Sequence, residues 1–350
     1  MREIRKVLTT VNYGPEEMQM LRAIFPESAF VQKDIRDSKG ILQELPDTDV
    51  AILLGDVDLR FLGDNGVKWI HCDHAGLNRS ARAELFDRGI LLTGSSGRSS
   101  PVLAEHCIYF MLNACYHTRQ LLEAQTNHIW GVPGMDTWRG LYGRTAGIVG
   151  FGNNGRELAV RLHAMGMNLI TYSRSDLPDG FPYIAKRLNS TKGDTLEPLL
   201  RESDFIILCI SLTDETKGLL RYDTLRQAKT GAILINMARG EIAPEADLIR
   251  ALDEGILSCC GLDVFETEPL PKDSPLWDRK DVLITPHTTP QVPNRAKRCL
   301  DIIRENARRY RAEEPLLNQL TRRDVFHDEK QAKLEQTYLQ ENQKPKLEEA

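Results

Sequence analysis

Seven cysteines in 350 residues include no C-x-x-C pair, and Cys259 and Cys260 are neighbours. That spacing suits neither a disulfide framework nor a zinc site, so a reducing compartment, the cytoplasm, is expected. Long apolar runs are missing as well. The longest, "FIILCI", falls far short of the roughly 20 residues a membrane-spanning helix needs, and no membrane association is expected. The opening "MREIRKVLTT" passes from charges into a strand-like pattern without the apolar stretch of a secretion signal. Positive charge is not in excess: 45 Lys and Arg face 50 Asp and Glu, with no basic stripe to track a phosphate backbone. Nucleic acid is therefore not an expected partner.

What is present reads as a globular α/β protein. With 41% hydrophobic residues, the chain is longer than one core normally serves, and two domains are expected. In the first hundred residues "EIRKVLTTV", "DVAILLG", "VKWIHCD" and "GILLTGS" read as strands, separated by helical patterns such as "PEEMQMLRAIF" and "SARAELFDRG". Such alternation predicts a parallel sheet flanked by helices. The stretch "SSPVLAEHCIYFMLNACYHTRQLLEAQ" reads as one long helix, apolar on more than one face and hence covered by another domain or subunit. A loop is expected over 127–144. A second alternating set follows, with strands expected at 145–150, 168–172, 204–210, 231–236, 257–263 and 281–285, then a helix "NRAKRCLDIIRENARRYRAE". From about 321 the chain is polar, and 328–350, rich in Glu, Gln and Lys, is expected to be a frayed helix or disordered. The cluster "HCDH" (His71, Cys72, Asp73, His74) invites a metal, but along a strand successive side chains face opposite ways and would not converge.

In "TAGIVGFGNNGRELAVRLHAMG" Gly150, Gly152 and Gly155 stand in G-x-G-x-x-G spacing between an apolar strand and an amphipathic helix. The first permits the tight turn, the second lets a pyrophosphate approach the backbone, and the third lets helix and strand pack closely. Asn153 and Asn154 fall within this candidate cofactor loop, where a helix N-terminus offers N–H groups to the anion. The end of the next strand reads "ITYSRSD". Ser173 stands where an NAD-binding chain places a carboxylate for the ribose hydroxyls, and Arg174 is suited to pair with a 2′-phosphate. NADP is accordingly favoured over NAD; in the other reading Arg174 faces solvent and Asp176 serves the ribose.

Three further segments deliver chemistry to the ends of predicted strands: "GAILINMARGE" brings Arg239, "CCGLDVFETEPL" brings Asp263 and Glu268, and "VLITPHTTP" brings His287. The carboxyl ends of the strands are where a doubly wound sheet binds its ligands. Hydride reduction of a 2-oxo acid needs a proton for the carbonyl, a cation for the carboxylate and a fixed nicotinamide. Histidine is the residue type that exchanges protons near physiological pH, so His287 suits the first task, with Glu268 on its far ring nitrogen. The Arg239 fork suits the second, and Asp263 is a candidate acceptor for the carboxamide of the nicotinamide.

"GIVGFGNNG", "SDFIILCISLTDETKGLL", "INMARGE", "GLDVFETEPLPKDSPLW" and "LITPH" together resemble the D-isomer-specific 2-hydroxyacid dehydrogenases, over about residues 45–320. The resemblance implies two doubly wound parallel-sheet domains: a split, flavodoxin-like substrate domain (1–100 and 290–320) and a central Rossmann domain (101–289), with the polar tail at 321–350. It implies Arg239, Glu268 and His287 as the catalytic set, and backbone at Ala75 and Gly76 of "HAGLN" as part of the substrate-carboxylate site. It also implies a cofactor cleft lined by Ile210, Ser211, Thr216, Met237 and Ala238, and a homodimer built through the helix at 101–125.

Some positions depart from the family pattern. Thr288, Thr289 and Pro290 follow the histidine where small residues are common, Asn78 replaces a usual aspartate, and Pro244 takes a position that is often acidic but suits the first turn of a helix. The leading expectation is an NADP(H)-preferring reductase of a small 2-oxo acid such as glyoxylate or hydroxypyruvate. A dehydrogenase of a larger or phosphorylated D-2-hydroxy acid ranks lower, since only Arg98 and Arg79 offer extra positive charge, and Arg98 reads as a solvated hinge residue. Formate oxidation, which this fold also supports, is disfavoured because a glutamate rather than a glutamine partners the histidine. From another class comes a nucleotide-sensing, corepressor-like binding protein, which would keep the same residues without needing turnover.

Overall fold

The computed structural model describes residues 2–176, 180–288 and 291–327. The chain forms two compact units, Met1–Arg98 with Asn294–Ala350, and Ser99–Pro293. Both are α/β.

In the first unit the strands are β1 (Lys6–Thr9), β2 (Ala29–Gln32), β3 (Val50–Leu53), β4 (Trp69–Cys72) and β5 (Leu91–Gly94). They lie parallel in the order β2-β1-β3-β4-β5, and Gln319–Leu320 returns to pair antiparallel with β5. This is the flavodoxin-like order. Buried on both faces, the central strand β3 is apolar at every position rather than at alternate ones. Val7, Val50, Ile52 and Trp69 enter one apolar cluster and Leu8, Ala51, Leu53 and Ile70 the other. Helix Arg295–Ala312 closes the first face: its Leu300, Ile303 and Tyr310 are buried there, and the Tyr310 ring stacks on Trp69 at 5.6 Å.

In the second unit the strands are β6 (Thr145–Val149), β7 (Asn168–Ser173), β8 (Ile184–Asn189), β9 (Phe205–Leu208), β10 (Ala232–Asn236), β11 (Leu257–Leu262) and β12 (Val282–Ile284). All are parallel, in the order β8-β7-β6-β9-β10-β11-β12. The order reverses between β6 and β9, which opens a crevice at their carboxyl ends and makes this a Rossmann sheet. Helices Ser100–Cys115 and Asn153–Ala164 pack over Ala146, Ile148, Phe205, Ile233 and Ile235 on one face.

The structure departs from the sequence reading in three places. The long helix is two helices, Ser100–Cys115 and Thr118–Thr126, because His117 takes a left-handed conformation (φ 45°) between them, its ring 4.7 Å from that of Trp138. β2 and β8 were not expected; both are edge strands with mixed exposure, so their sequences "AFVQ" and "IAKRLN" carry little apolar signal. Pro244 caps helix Glu245–Asp253 rather than standing inside its first turn. The expectations for 328–350, Thr289 and Pro290 lie outside the described residues. Among the described residues no helix is long and apolar enough to cross a membrane.

Candidate active site

The glycine loop follows β6. Gly150 has φ 99°, open to glycine at little cost, and a side chain there would strike the backbone oxygen of Cys209 at 2.5 Å. At Gly155 a Cβ would fall 2.2 Å from the oxygen of Gly150, so the helix Asn153–Ala164 can begin this close to β6 only without one. Gly152, which precedes that helix, has nothing within 4 Å of where a Cβ would point. The loop therefore presents a helix N-terminus beside open space, as a pyrophosphate requires. Asn154 accepts a hydrogen bond from the buried Ser100 hydroxyl at 2.5 Å, which spends its side-chain oxygen on joining two helices.

At the end of β7 the Ser173 hydroxyl donates to the backbone oxygen of Ser175 (2.6 Å), and Arg174 follows half-buried. Asp176 is engaged by Lys192 at 2.6 Å and by the Asn189 amide at 2.8 Å, and these partners hold its carboxyl below the usual range. Ile210 and Ser211 leave β9, half-buried and exposed respectively. The Thr216 hydroxyl folds inward, donating to the Ser211 carbonyl (2.8 Å) and accepting from the Thr213 N–H (2.8 Å), so it shapes this loop from within.

Past β10 the buried Asn236, which sequence reasoning missed, pins the turn that carries Arg239. Its amide oxygen accepts from the Ala238 N–H (3.0 Å) and its nitrogen donates to the Arg239 carbonyl (3.0 Å). Met237 and Ala238 lie within that turn. A side chain at Gly240 would overlap the backbone of Phe265 at 2.0 Å, so the arginine turn is pressed against the loop after β11. Arg239 itself is half-buried, with one guanidinium nitrogen on the Ala238 carbonyl at 2.6 Å.

That neighbouring loop supplies the acid. Glu268 Oε1 accepts from the Phe265 N–H (3.0 Å), and Oε2 meets His287 Nδ1 at 2.6 Å. The His287 side chain is 46% exposed, and its Nε2 makes no hydrogen bond among the described residues. His287 is also left-handed (φ 47°), which turns the ring out of the line of β12. Asp263, 3% exposed, spends Oδ1 on the Thr285 hydroxyl (2.6 Å) and the Thr288 N–H (3.0 Å), so a cofactor amide would have to meet its other oxygen. Burial pushes its carboxyl up; the bonds from Thr285 and Thr288 and the charges of His106 and His287 oppose this. The second unit thus brings the glycine loop, Arg239, Glu268 and His287 to one edge of its sheet.

In the first unit Ala75 and Gly76 lie in the bend after β4, exposed and half-buried. Arg98 is not solvated: its side chain is 13% exposed, donates to the backbone oxygen of Asp73 and lies 3.8 Å from the carboxylate of Asp73. Of "HCDH", His71 is fully buried with its ring nitrogens on the hydroxyls of Thr93 (2.9 Å) and Ser95 (3.1 Å), whereas His74 lies 3.4 Å from Asp56.

The glycine loop and the residues at these strand ends match the NAD-binding domain of the D-isomer specific 2-hydroxyacid dehydrogenases over residues 108–289. The chain belongs to the D-isomer specific 2-hydroxyacid dehydrogenase family. It is an enzyme of that family, and all the candidate residues from Gly150 to His287 lie inside its NAD-binding domain. A relative named glyoxylate reductase, from Thermococcus kodakarensis, is 31% identical over 295 residues, covering 81% of this chain and 82% of the relative. Another of that name, from Korarchaeum cryptofilum, is 30% identical over 291 residues, 80% and 82% of the two chains. Among solved structures, a D-isomer specific 2-hydroxyacid dehydrogenase from Xanthobacter autotrophicus Py2, in complex with NADPH and MES, aligns with a TM-score of 0.75 and 26% identity. That alignment spans 92% of this chain and 99% of the other.

Proposed function

We propose that this dehydrogenase reduces a small 2-oxo acid, of the size of glyoxylate or hydroxypyruvate, to the D-2-hydroxy acid with NADPH. The observation that carries the reading is the 2.6 Å contact between His287 Nδ1 and Glu268 Oε2, with Nε2 of the same ring left to a substrate. Glu268 fixes the ring through Nδ1, so proton exchange falls to Nε2: the protonated ring gives a proton to the carbonyl oxygen, and the neutral ring takes it back in the reverse direction. Arg239 binds the carboxylate of the acid and, through its charge, polarises the adjacent carbonyl. Backbone at Ala75 and Gly76, in the first unit, is a further candidate for contact with the acid's carboxylate. A nicotinamide, when bound, supplies the hydride. Gly150, Asn153, Gly155, Ile210, Ser211, Thr216, Met237 and Ala238 wall its cleft.

The cofactor preference rests on the end of β7. Ser173 brings no carboxylate to repel a 2′-phosphate, and the nearby Asp176 is already held by Lys192 and Asn189. The NADPH in the Xanthobacter structure supports the same reading, and the names of the Thermococcus and Korarchaeum relatives support a small 2-oxo acid as substrate. We further propose a homodimer through the paired helices after Ser99, where Tyr109, Tyr116 and Leu122 are exposed, and a cytoplasmic setting, which the seven free thiols favour.

The test is oxidation of NADPH and NADH, side by side, by the purified protein with glyoxylate, hydroxypyruvate and longer 2-oxo acids. Turnover with NADPH and a short acid is expected. Tight cofactor binding without turnover on any acid would overturn the reductase reading and leave a nucleotide sensor.

A further inference from the structure

Behind the turn that carries His287 runs a second set of polar groups, two of which, His106 and Thr285, the hydride chemistry leaves unused. His106 sits on helix Ser100–Cys115, 8% exposed, its ring stacked on Phe110 at 4.8 Å and 18°. Its Nε2 lies 3.2 Å from the hydroxyl of Thr285, and that hydroxyl lies 2.6 Å from Asp263 Oδ1. The same carboxylate oxygen accepts the N–H of Thr288 at 3.0 Å. Thr285 and Thr288 bracket His287, so one oxygen of Asp263 grips the turn on both sides of it. The grip has something to hold. A left-handed backbone is strained for a residue with a Cβ, and His287 adopts it at φ 47°.

The Thr285 hydroxyl has a single hydrogen and two neighbours that would take it. Given to Asp263, it fastens the turn; given to His106, it leaves the carboxylate with the backbone bond alone. The tautomer of His106 decides between these. With a proton on Nε2, His106 donates to the hydroxyl oxygen, and the hydroxyl can only donate onward to Asp263. The burial of the other nitrogen points the same way. His106 Nδ1 is buried without a hydrogen-bond partner among the described residues, a place that tolerates a bare lone pair better than an N–H. Burial also lowers the proton affinity of this imidazole, against the pull of Asp263, which favours the neutral ring.

We infer that His106, Thr285 and Asp263 form a one-directional hydrogen-bond relay, His106 to Thr285 to Asp263, that holds the turn bearing His287 in its left-handed form. His106 and Thr285 are positioning residues. They act on His287 through Asp263 and donate nothing to the substrate. The inference rests on the reading of His287 as the acid–base group, but its physical content, the fastening of the turn, can be measured without any substrate.

The experiment compares Thr285→Val, which removes the hydroxyl but keeps the shape, with Thr285→Ser, which keeps the hydroxyl. It likewise compares His106→Phe, which keeps the stacked ring, with His106→Gln, which restores a donor. Hydrogen exchange of the Thr288 amide is read in the full chain, along with 2-oxo acid turnover and NADPH affinity. We expect Thr285→Val and His106→Phe to speed exchange at Thr288 about tenfold and to lower kcat by about tenfold to a hundredfold, as a misplaced catalytic group does, with NADPH affinity held within about threefold. Thr285→Ser and His106→Gln should return both readouts most of the way. Unchanged exchange at Thr288 in Thr285→Val and His106→Phe overturns the relay. A general loss of fold would show instead as a fallen Tm and faster exchange in β9 and β10, and the Ser and Gln variants then decide the matter. Should the wild-type protein turn over no 2-oxo acid, the proposed function fails while the exchange measurements still judge the relay.

Discussion

The role proposed for His287 depends on three neighbours as well as on its imidazole: Glu268 on one ring nitrogen, and Thr285 and Thr288 on either side of its backbone. Replacing His287 with Ala is expected to lower turnover by roughly 10²–10⁴ while leaving NADPH affinity nearly unchanged, and steady-state kinetics beside a binding titration would show it. Turnover equal to wild type would remove His287 from the mechanism. Ser173→Asp is expected to weaken NADPH and favour NADH, read as the ratio of kcat/KM for the two cofactors. An unmoved ratio would mean that the end of β7 does not set the preference. The candidates Arg239, Glu268 and His287 are legible in the sequence because each follows an apolar run that ends at one edge of the sheet. His106 and Asn236 are not. A histidine in an apolar helix reads as core, and a hydrogen bond spanning 179 positions, as between Thr285 and His106, leaves no local trace.

Among the elements, the helix after the glycine loop shows how tightly the cofactor edge is built. Gly155→Ala would set a methyl 2.2 Å from the Gly150 oxygen, and the helix would have to retreat from β6. The expected result is a loss of about 1–3 kcal/mol in stability together with weaker cofactor binding, seen by denaturant titration and by fluorescence of bound NADPH. Full stability with full affinity would show that the loop has more room than its geometry allows. In the other sheet Asp49 is the element to watch. Burial alone would raise its carboxyl, but hydrogen bonds from Lys68 (2.8 Å) and from the side chain and backbone of Arg5 outweigh this and bring it down to about 2. A lowered carboxylate stabilises the fold above its unfolded value and loses that contribution as pH falls through its folded value. Acid titration should therefore show about 2 kcal/mol, at most, disappearing between roughly pH 4 and pH 2, and Asp49→Asn should abolish that step. Sequence patterning finds central strands more readily than edge strands. β3 and β9 are buried at every position, whereas β2 is exposed or half-exposed throughout and looks like loop.

For the whole molecule, the proposed dimer makes a direct claim on surface residues. Tyr116, Leu122, Ile129 and the fully exposed Trp130 are large apolar side chains on the paired helices and the loop after them. Sedimentation should give a dimer of the 39.6 kDa chain, and Tyr116→Glu combined with Trp130→Glu should give a monomer. A wild-type monomer at micromolar concentration would send the search for what covers this surface elsewhere. The break at His117 bears on the same surface, and the sequence conceals it because neither glycine nor proline marks the spot.

The first unit is assembled from both ends of the described chain, and that has a consequence in time. When a ribosome has made β1 to β5, the face bearing Val7, Val50, Ile52 and Trp69 still lacks helix Arg295–Ala312, which later covers it. Roughly two hundred residues of the second unit are synthesised first, a wait of about 10–40 s at ordinary translation rates. During that interval Trp69 lacks the ring of Tyr310 that later stacks on it, and this part of the nascent face is a target for chaperones and a risk for aggregation. The second unit, made in one stretch, can finish folding before the unit that began first.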